Sequence, residues 1–442
     1  MKIHTTIFII LTLTLGFAEI KAQELDSVLS VEKAVSISLE NNFQIVLARN
    51  QTDIANNNNS FGNAGFLPTL DLSGNYEKSI QNTEQEFVNG ETQSRNGAER
   101  EVFSAGASLV WTLFDGTRMF VAKNRLENQS LQSYYSYKSQ VDNSIADLLS
   151  LFYEVSLEQE RLELFRSNIE FSEERLRIVE QKYDVGKESK IALLQAQVDL
   201  NADRSSYIQQ RELLQDRKIQ LVRVMGLDQS PDFELELEIN LDSTLVLDEL
   251  LNAASQQNPQ IMAQEISRKI ADQEKEELRR SRLPQVDLNM GYNYSNLESE
   301  AGFLFSNQTS GITYGLSARM NVFNGFNRQR EIQNAEIEMI NAEVRLEDAR
   351  SLVNSAIRTT YNTYINNYNL SKLESQNLDV AIENSNIALE RFRLGVSDAL
   401  ELREAQVNSV NAQIRYLQSL YQTKQAEIEL QRLTGTVSEI SE

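Results

Sequence analysis

Four stretches of the chain alternate between apolar and polar residues. In the first, Leu70, Leu72, Gly74 and Tyr76 are separated by Asp71, Ser73 and Asn75. The second carries Phe103, Ala105, Ala107, Leu109, Trp111 and Leu113 between Ser104, Gly106, Ser108 and Thr112, with Val110 out of step. The third has Val286, Leu288, Met290, Tyr292 and Tyr294 between Asp287, Asn289, Gly291 and Asn293. In the fourth, Ile312, Tyr314, Leu316, Ala318, Met320 and Val322 alternate with Thr313, Gly315, Ser317, Arg319 and Asn321. A period of two places one set of side chains on each face of a strand. Each stretch has about the 9–11 residues that a tilted strand needs to cross a bilayer. Apolar-out and polar-in alternation suits a membrane barrel with a wet interior, and equally a soluble antiparallel sheet with one face on a core. Long helices beside each hairpin, with their own apolar seams, leave little to cover such a sheet and favour the barrel. This pattern predicts Trp111, Tyr292 and Leu316 on the lipid face, and Asp71, Ser73, Asp287, Asn289, Arg319 and Asn321 on the lumen face.

After each strand pair the period changes. Residues 117–183 contain neither Pro nor Gly, which predicts one helix on the order of 100 Å long. Along it Val141, Ile145, Leu148, Phe152, Val155, Leu162, Phe165, Ile169, Leu176, Val179 and Tyr183 recur close to every 3.5 residues, the repeat of a left-handed coiled coil. A return helix over about 188–225 follows, and its counterpart near 397–433 carries the seam Val407, Val410, Ile414, Leu417 and Tyr421. The helices before each strand pair, about 44–64 and 260–281, are too short to match the long helix. They are expected to stack end to end with the return helices. The tight segments 184–190 and 393–398 join long helix to return helix; Gly186 and Gly395 suit the left-handed helix end, and Ser189 and Asp398 suit the N-caps that follow.

The chain is an internal duplication. At a spacing of 209 residues, Gly186, Leu193, Ala196 and Gln197 match Gly395, Leu402, Ala405 and Gln406, Gly226 matches Gly435, and Phe114-Asp115-Gly116 matches Phe323-Asn324-Gly325. Earlier in each copy the spacing is 216: Leu67-Pro68 meets Leu283-Pro284 and Asp71-Leu72 meets Asp287-Leu288. The indel is expected in the polar stretches 81–100 and 297–308, read as surface loops. The organisation expected is a leader at 1–22, a first repeat at 23–226, an equatorial linker at 227–248, a second repeat at 249–435 and a tail at 436–442. Within the linker, Pro231 and the alternating Phe233-Glu234-Leu235-Glu236-Leu237 suggest a small equatorial structure.

Composition narrows the function. Lys2 and His4 precede an apolar run from Ile7 to Phe17, and Ala22 precedes Gln23, the layout of a secretory signal peptide. The chain has no Cys and its one His lies in that leader. Thiolate sites, imidazole metal ligands and His-dependent catalysis are thereby excluded, and no metal or cofactor is implied. A net charge of −22 excludes nucleic acid as a partner. No carboxylate pair stands out, which disfavours a polysaccharide-active or peptidoglycan-active enzyme. No later stretch is apolar enough for a membrane helix, so any membrane span is a closed β-barrel.

Read in order, these landmarks resemble the TolC-like outer-membrane efflux proteins. The resemblance is carried by Leu29-Ser30-Val31-Glu32-Lys33-Ala34, Glu40-Asn41-Asn42 and Phe66-Leu67-Pro68-Thr69-Leu70. It continues through Trp111-Thr112-Leu113-Phe114-Asp115-Gly116, its copy Met320-Asn321-Val322-Phe323-Asn324-Gly325, and the four glycine helix ends. The fold it implies is an α+β membrane protein: an antiparallel coiled-coil barrel above which four strands per subunit close as a trimer into a transmembrane β-barrel. It further implies a passive exit duct for efflux or type I secretion, in the outer membrane of a Gram-negative bacterium, working with a periplasmic adaptor protein and an inner-membrane transporter. The helix-turn tips Tyr183, Val185, Gly186, Phe392, Leu394, Gly395 and Val396 are the expected adaptor-docking surface. The family's gate, an acidic ring on the second long helix, points to Glu383, with the uncharged Asn386 where a second acid is expected. Read without the resemblance, the helices also suit a periplasmic coiled-coil tether with no channel.

Overall fold

The computed structural model describes residues 28–228, 232–235, 239–302 and 304–437. The leader at 1–22, Pro231, Glu236, Leu237 and residues 438–442 of the tail lie outside the described residues.

In chain order, β1 (Val28–Leu29), α1 (Val31–Asn41) and α2 (Phe43–Asn58) precede the hairpin β2 (Thr69–Glu86) and β3 (Thr92–Phe114). The long α3 (Arg118–Asp184) and the return helix α4 (Lys190–Val224) complete the first repeat. After β4 (Glu234–Leu235), the order recurs as α5 (Leu247–Gln257), α6 (Pro259–Arg280), β5 (Gln285–Ser299), β6 (Ser306–Arg319), α7 (Asn327–Leu394) and α8 (Ala399–Thr434).

The short and return helices do stack end to end, and a single asparagine makes each joint. Asn42 caps α2 by accepting from the Gln44 and Ile45 N–H groups at 2.9 and 3.1 Å, while its amide donates to the Val224 carbonyl at the end of α4 at 2.8 Å. Asn258 does the same in the second repeat, accepting from Ile261 N–H at 3.0 Å and donating to Leu433 O at 2.8 Å. One side chain thus satisfies backbone groups that two helix ends would otherwise leave open. The joint also explains the paired glycines. Gly226 and Gly435 have φ of +77° and +80°, and a Cβ on them would lie 2.2 Å from Asn41 O and 2.8 Å from Gln257 O. Only Gly permits both the conformation and the approach.

Four rods therefore form a wall. α3 packs between α2 and α4 on one side and α6 and α8 on the other; α7 packs on α6 and α8, with α5 against its middle. Near the middle Val141, Ile145, Leu148 and Phe152 of α3 are buried with Leu221, Met225, Phe233 and Leu235, and Glu234–Leu235 pairs in parallel with Val28–Leu29.

The helix seams differ from those expected in two places. On α8 the residues spaced by seven that are buried are Ala405, Ala412, Ser419, Ala426 and Leu433, whereas Val407 is exposed and Val410, Ile414 and Leu417 are half-buried. Small side chains let the backbones approach closely, and hydropathy alone does not reveal them. On α3, below Phe152, Leu162, Phe165, Ile169 and Leu176 are half-buried, while Asn168, Ser172 and Arg175 are buried. α3 is flanked on two sides there, and polar contacts fill the second.

The sheet is antiparallel in the order β2-β3-β5-β6. Its strands outrun the expected bilayer span. The stretch 81–100 is not a loop: Thr83 pairs with Arg95 and Gln85 with Gln93, leaving only 87–91 as the turn. Polar residues on both strand faces are compatible with pairing when both faces meet water, so the loss of alternation hid these strands. Likewise β5 continues to Ser299, and the 297–308 loop shrinks to 300–305. The fourth strand ends earlier than expected, at Arg319, so Asn321 and Val322 lie beyond it.

Candidate channel wall, tips and gate

Cross-strand register sorts the sheet into rows. Leu72, Ala107, Tyr292 and Ile312 lie opposite one another, as do Leu70, Leu109, Met290 and Tyr314, and as do Trp111, Leu288 and Leu316. These rows share one face. The alternate rows, Asp71–Ser108–Gly291–Thr313 and Ser73–Gly106–Asn293–Gly311, form the other, together with Asn289, Asp287, Ser317 and Arg319. The expected lipid-facing and lumen-facing residues on strands thus fall on opposite faces; Asn321 is past the end of β6. Leu72, Ile312, Tyr314 and Leu316 are exposed, and among the described residues no helix packs on the sheet. Asp287 is buried, accepting from Thr112 Oγ1 at 2.8 Å and Gln285 Nε2 at 2.9 Å. Trp111 sits at the foot of the sheet, where its indole N–H donates to Phe66 O at 2.8 Å.

At the opposite end, Gly186 and Gly395 both turn with φ +76°. Ser189 accepts from Ala192 N–H at 3.1 Å and Asp398 from Glu401 N–H at 2.8 Å, starting α4 and α8. Tyr183, Val185, Leu394 and Val396 are exposed, as are Ile191, Leu194 and Leu400, which sequence reading missed. They escaped notice because each lies just inside a helix, where an apolar residue ordinarily means core. Phe392 is a correction: it is fully buried with Ile178, Val179, Ala388 and Leu402, and the Lys182 ammonium lies 3.7 Å from its ring centroid. An aromatic ring on the inner side of the last turn stabilises the tip and is not offered to a partner.

Above the tips a buried polar network joins α3, α4 and α8. Arg175, 2% exposed, pairs with Asp199 at 2.6 Å, and Arg403 pairs with Asp203 at 2.9 Å. Ser172 donates to Asp203, and the Gln406 amide donates to Asn168 Oδ1 and Ser172 Oγ, each at 2.7 Å. Burial holds the Arg175 guanidinium below its ordinary value, opposed by the hydrogen bond to Asp199. Burial pushes the Asp199 carboxyl up, but hydrogen bonds from Gln195 and Arg175 outweigh it and leave the group below the usual carboxylate range. No spacing rule exposes such a network, because its members come from three helices.

Glu383 and Asn386 are both exposed on α7, on a flank with Val380 and Ile387 that nothing else among the described residues covers. Asp379, one turn before Glu383 on α7, is also exposed, so a single subunit presents two acids on this face. Among the described residues no group of His, Cys, Asp or Glu is arranged to hold a metal ion, and no helix is long and apolar enough to cross a membrane.

The family model for outer membrane efflux proteins matches residues 34–227 and 250–436, one segment per repeat. The chain belongs to the outer membrane efflux protein family. Outer membrane protein TolC of Vibrio cholerae is 24% identical over 418 residues, covering 90% of this chain and 89% of that protein. Protein CyaE of Bordetella pertussis is 24% identical over 257 residues, 58% of this chain and 54% of its own length. Among solved structures, the fold is similar to the outer membrane protein VceC of Vibrio cholerae, with a TM-score of 0.74, 14% identity and coverage of 92% and 96% of the two chains. It also matches the open MtrE outer membrane channel of Neisseria gonorrhoeae, with a TM-score of 0.73, 16% identity and coverage of 92% and 88%. Membership places the chain in the outer membrane of a Gram-negative bacterium, with its helices extending into the periplasm, in a family of transport channels and not of enzymes.

Proposed function

We propose that three copies of this chain form a passive exit duct for efflux or type I secretion, fed by an inner-membrane transporter through a periplasmic adaptor. The observation that carries the reading is the uncovered apolar face of the sheet, combined with its two open edges, β2 and β6. Open strand edges do not occur in lipid, and four strands are too few to close around a lumen. Three copies supply twelve strands and an aqueous passage. The helical wall needs the same closure. α2 exposes Phe43, Leu47 and Ile54 at gaps of 4 and 7, and α7 exposes Leu373, Val380, Ile387 and Leu394 at gaps of 7. Each is a heptad stripe with no partner among the described residues, the pattern of a coiled-coil seam awaiting another helix.

The adaptor-docking surface is the exposed apolar set at the tips: Val185, Leu394, Val396 and the cleft between the starts of α4 and α8, which Ile191, Ala192, Ala399 and Leu400 line. Glu383 serves as an acidic element of the periplasmic entrance where three copies of α7 converge. A tether without a channel leaves the apolar rows of the sheet facing water, and so fits worse. The test is purification from outer membranes in mild detergent followed by planar-bilayer recording. A trimer with stable conductance supports the duct; a monomer recovered from the soluble periplasm ends it.

A further inference from the structure

The internal repeat carries information about the contact between copies, because the chain already contains one seam of the kind that its free edges need. Inside the chain, repeat one meets repeat two through β3 and β5, with Leu109 opposite Met290, Val110 opposite Asn289 and Thr112 opposite Asp287. The counterpart of β3, 209 residues on, is β6; the counterpart of β5, 216 residues back, is β2. These offsets hold in three dimensions as well as in sequence. Leu70 opposite Leu109 and Asp71 opposite Ser108 in the first hairpin become Val286 opposite Ala318 and Asp287 opposite Ser317 in the second, and all four pairs are present. β6 and β2 are the two edges left open.

We infer that β6 pairs with β2 of the next copy in the register transferred from β3 and β5: Arg319 opposite Ser73, Ala318 opposite Gly74, Leu316 opposite Tyr76 and Asn321 opposite Asp71 of that copy. This rests on the duct reading and deepens it. Four independent features of the structure agree with the register. It keeps polar residues opposite polar ones and apolar opposite apolar, which a one-residue slip destroys. It seats Asn321 and Asp71 where Thr112 and Asp287 sit in the inner seam, and there Thr112 Oγ1 donates to the carboxylate at 2.8 Å. Asp71, Asn321 and Arg319 are exposed, and their side chains make no hydrogen bond or ion pair among the described residues. The transferred register puts Arg319 diagonal to Asp71 on the polar face, within reach of a long side chain, where the inner seam has only Val110. A charge pair thus marks the outer seam alone.

The foot of the sheet agrees. At the inner seam Leu283 lies so close to Gly116 that a Cβ there would be 2.6 Å from Leu283 Cβ. The equivalent pair is Gly325 and Leu67 of the next copy. Gly325 has open space on that side apart from the Asn327 amide at 3.8 Å, and Leu67 is exposed. The early end of β6 also follows. β3 continues to Phe114, and the matching residue of β6 is Phe323, yet β6 stops at Arg319. Residues 320–323 are backbone whose strand partner, residues 70–72, is on another copy.

The absence of Cys makes the test clean. Full-length Arg319→Cys/Ser73→Cys protein in outer membranes, oxidised with a copper–phenanthroline catalyst, should give a ladder of cross-linked dimer and trimer on denaturing gels. Arg319→Cys/Gly74→Cys, whose cysteines point to opposite faces, should give none. Cross-linking of Arg319→Cys with Asp71→Cys or Asn75→Cys in place of Ser73→Cys, in a protein that is still a trimer, overturns the register and leaves the duct standing. A protein that stays monomeric in the membrane overturns both. The charge pair has its own arm: Asp71→Arg should lower the temperature at which the trimer dissociates in detergent, and adding Arg319→Asp should restore it. Failure of the exchange to restore it removes the Asp71–Arg319 pair.

Discussion

α3 and α7 hold equivalent places in the two repeats and have nearly the same length, yet 21 of 67 residues of α3 are buried against 12 of 68 in α7. The difference is one of position. α3 has helices on both flanks, whereas α7 is the last rod of the wall and is covered on one flank only. Sequences of like pattern thus produce a core in one place and an apolar stripe facing outward in the other. An isolated subunit is half of an interface as much as it is a fold.

Four experiments bear on this contrast, the largest expected effect first. Phe152→Ala, in the covered middle of α3, should cost about 3–5 kcal/mol of stability in any oligomeric state, because it leaves a cavity in a packed core. On α7, Leu373→Ala should cost almost nothing in dispersed subunits and roughly 1–2 kcal/mol in the assembled protein, as expected for a partly buried side chain. Denaturant titration with and without assembly measures both. Equal losses for Leu373→Ala in the two states break the contrast.

The outer strand offers the second experiment. Leu316→Arg should destabilise membrane-inserted protein by about 2–4 kcal/mol if the residue lies near the bilayer midplane, and Ser317→Arg far less. Adjacent residues of β6 point to opposite faces, so equal tolerance in a refolding assay means that the faces are assigned wrongly.

Acid should separate the tips from the rest of the wall. Asp199 has a carboxyl held below its ordinary value in the folded state, so its contribution is fully present above the unfolded value near about 4 and is lost as pH falls through the lower folded value. Hydrogen-exchange protection around Arg175, Asp199 and Arg403, relative to the intrinsic rate at each pH, should therefore fall from about pH 4 downward, while the α3 core around Phe152 stays protected. Asp199→Asn should abolish most of that acid dependence. The smallest effect is expected at the proposed periplasmic entrance. Glu383→Gln should reduce block of single-channel current by divalent cations without altering assembly, since the side chain is exposed and packs in no core. Identical traces remove Glu383 from the entrance.

Much of this architecture was legible in the residues. The repeat, the four strands, the helix order and the turn glycines all rest on local rules of period and backbone conformation, and such rules act over a few neighbours. Three misreadings each have a physical cause. Residues 81–100 looked like a loop because alternation reports a difference between two faces, and strands wet on both sides have none to report. The α8 seam was placed on Val407, Val410 and Ile414 because large apolar residues weigh most in hydropathy, whereas Ala405, Ala412 and Ser419 are buried by being small. Phe392 was read as a docking residue because tip position was weighed above helix face.

What the sequence determined by itself, then, is everything set by spacing: a duplicated chain, strands with two chemically different faces, and glycines where φ must be positive. Tertiary structure alone decided which stripes meet one another within the chain and which are left over. Arg175 finds Asp199, Gln406 finds Asn168, and Asn42 finds Val224 across distances in sequence that no periodicity encodes. The open edges at β2, β6 and α7 are likewise invisible in a pattern that repeats. A repeat states that two segments are alike, and only the packing of one against the other settles which of them is inside and which waits for a neighbour.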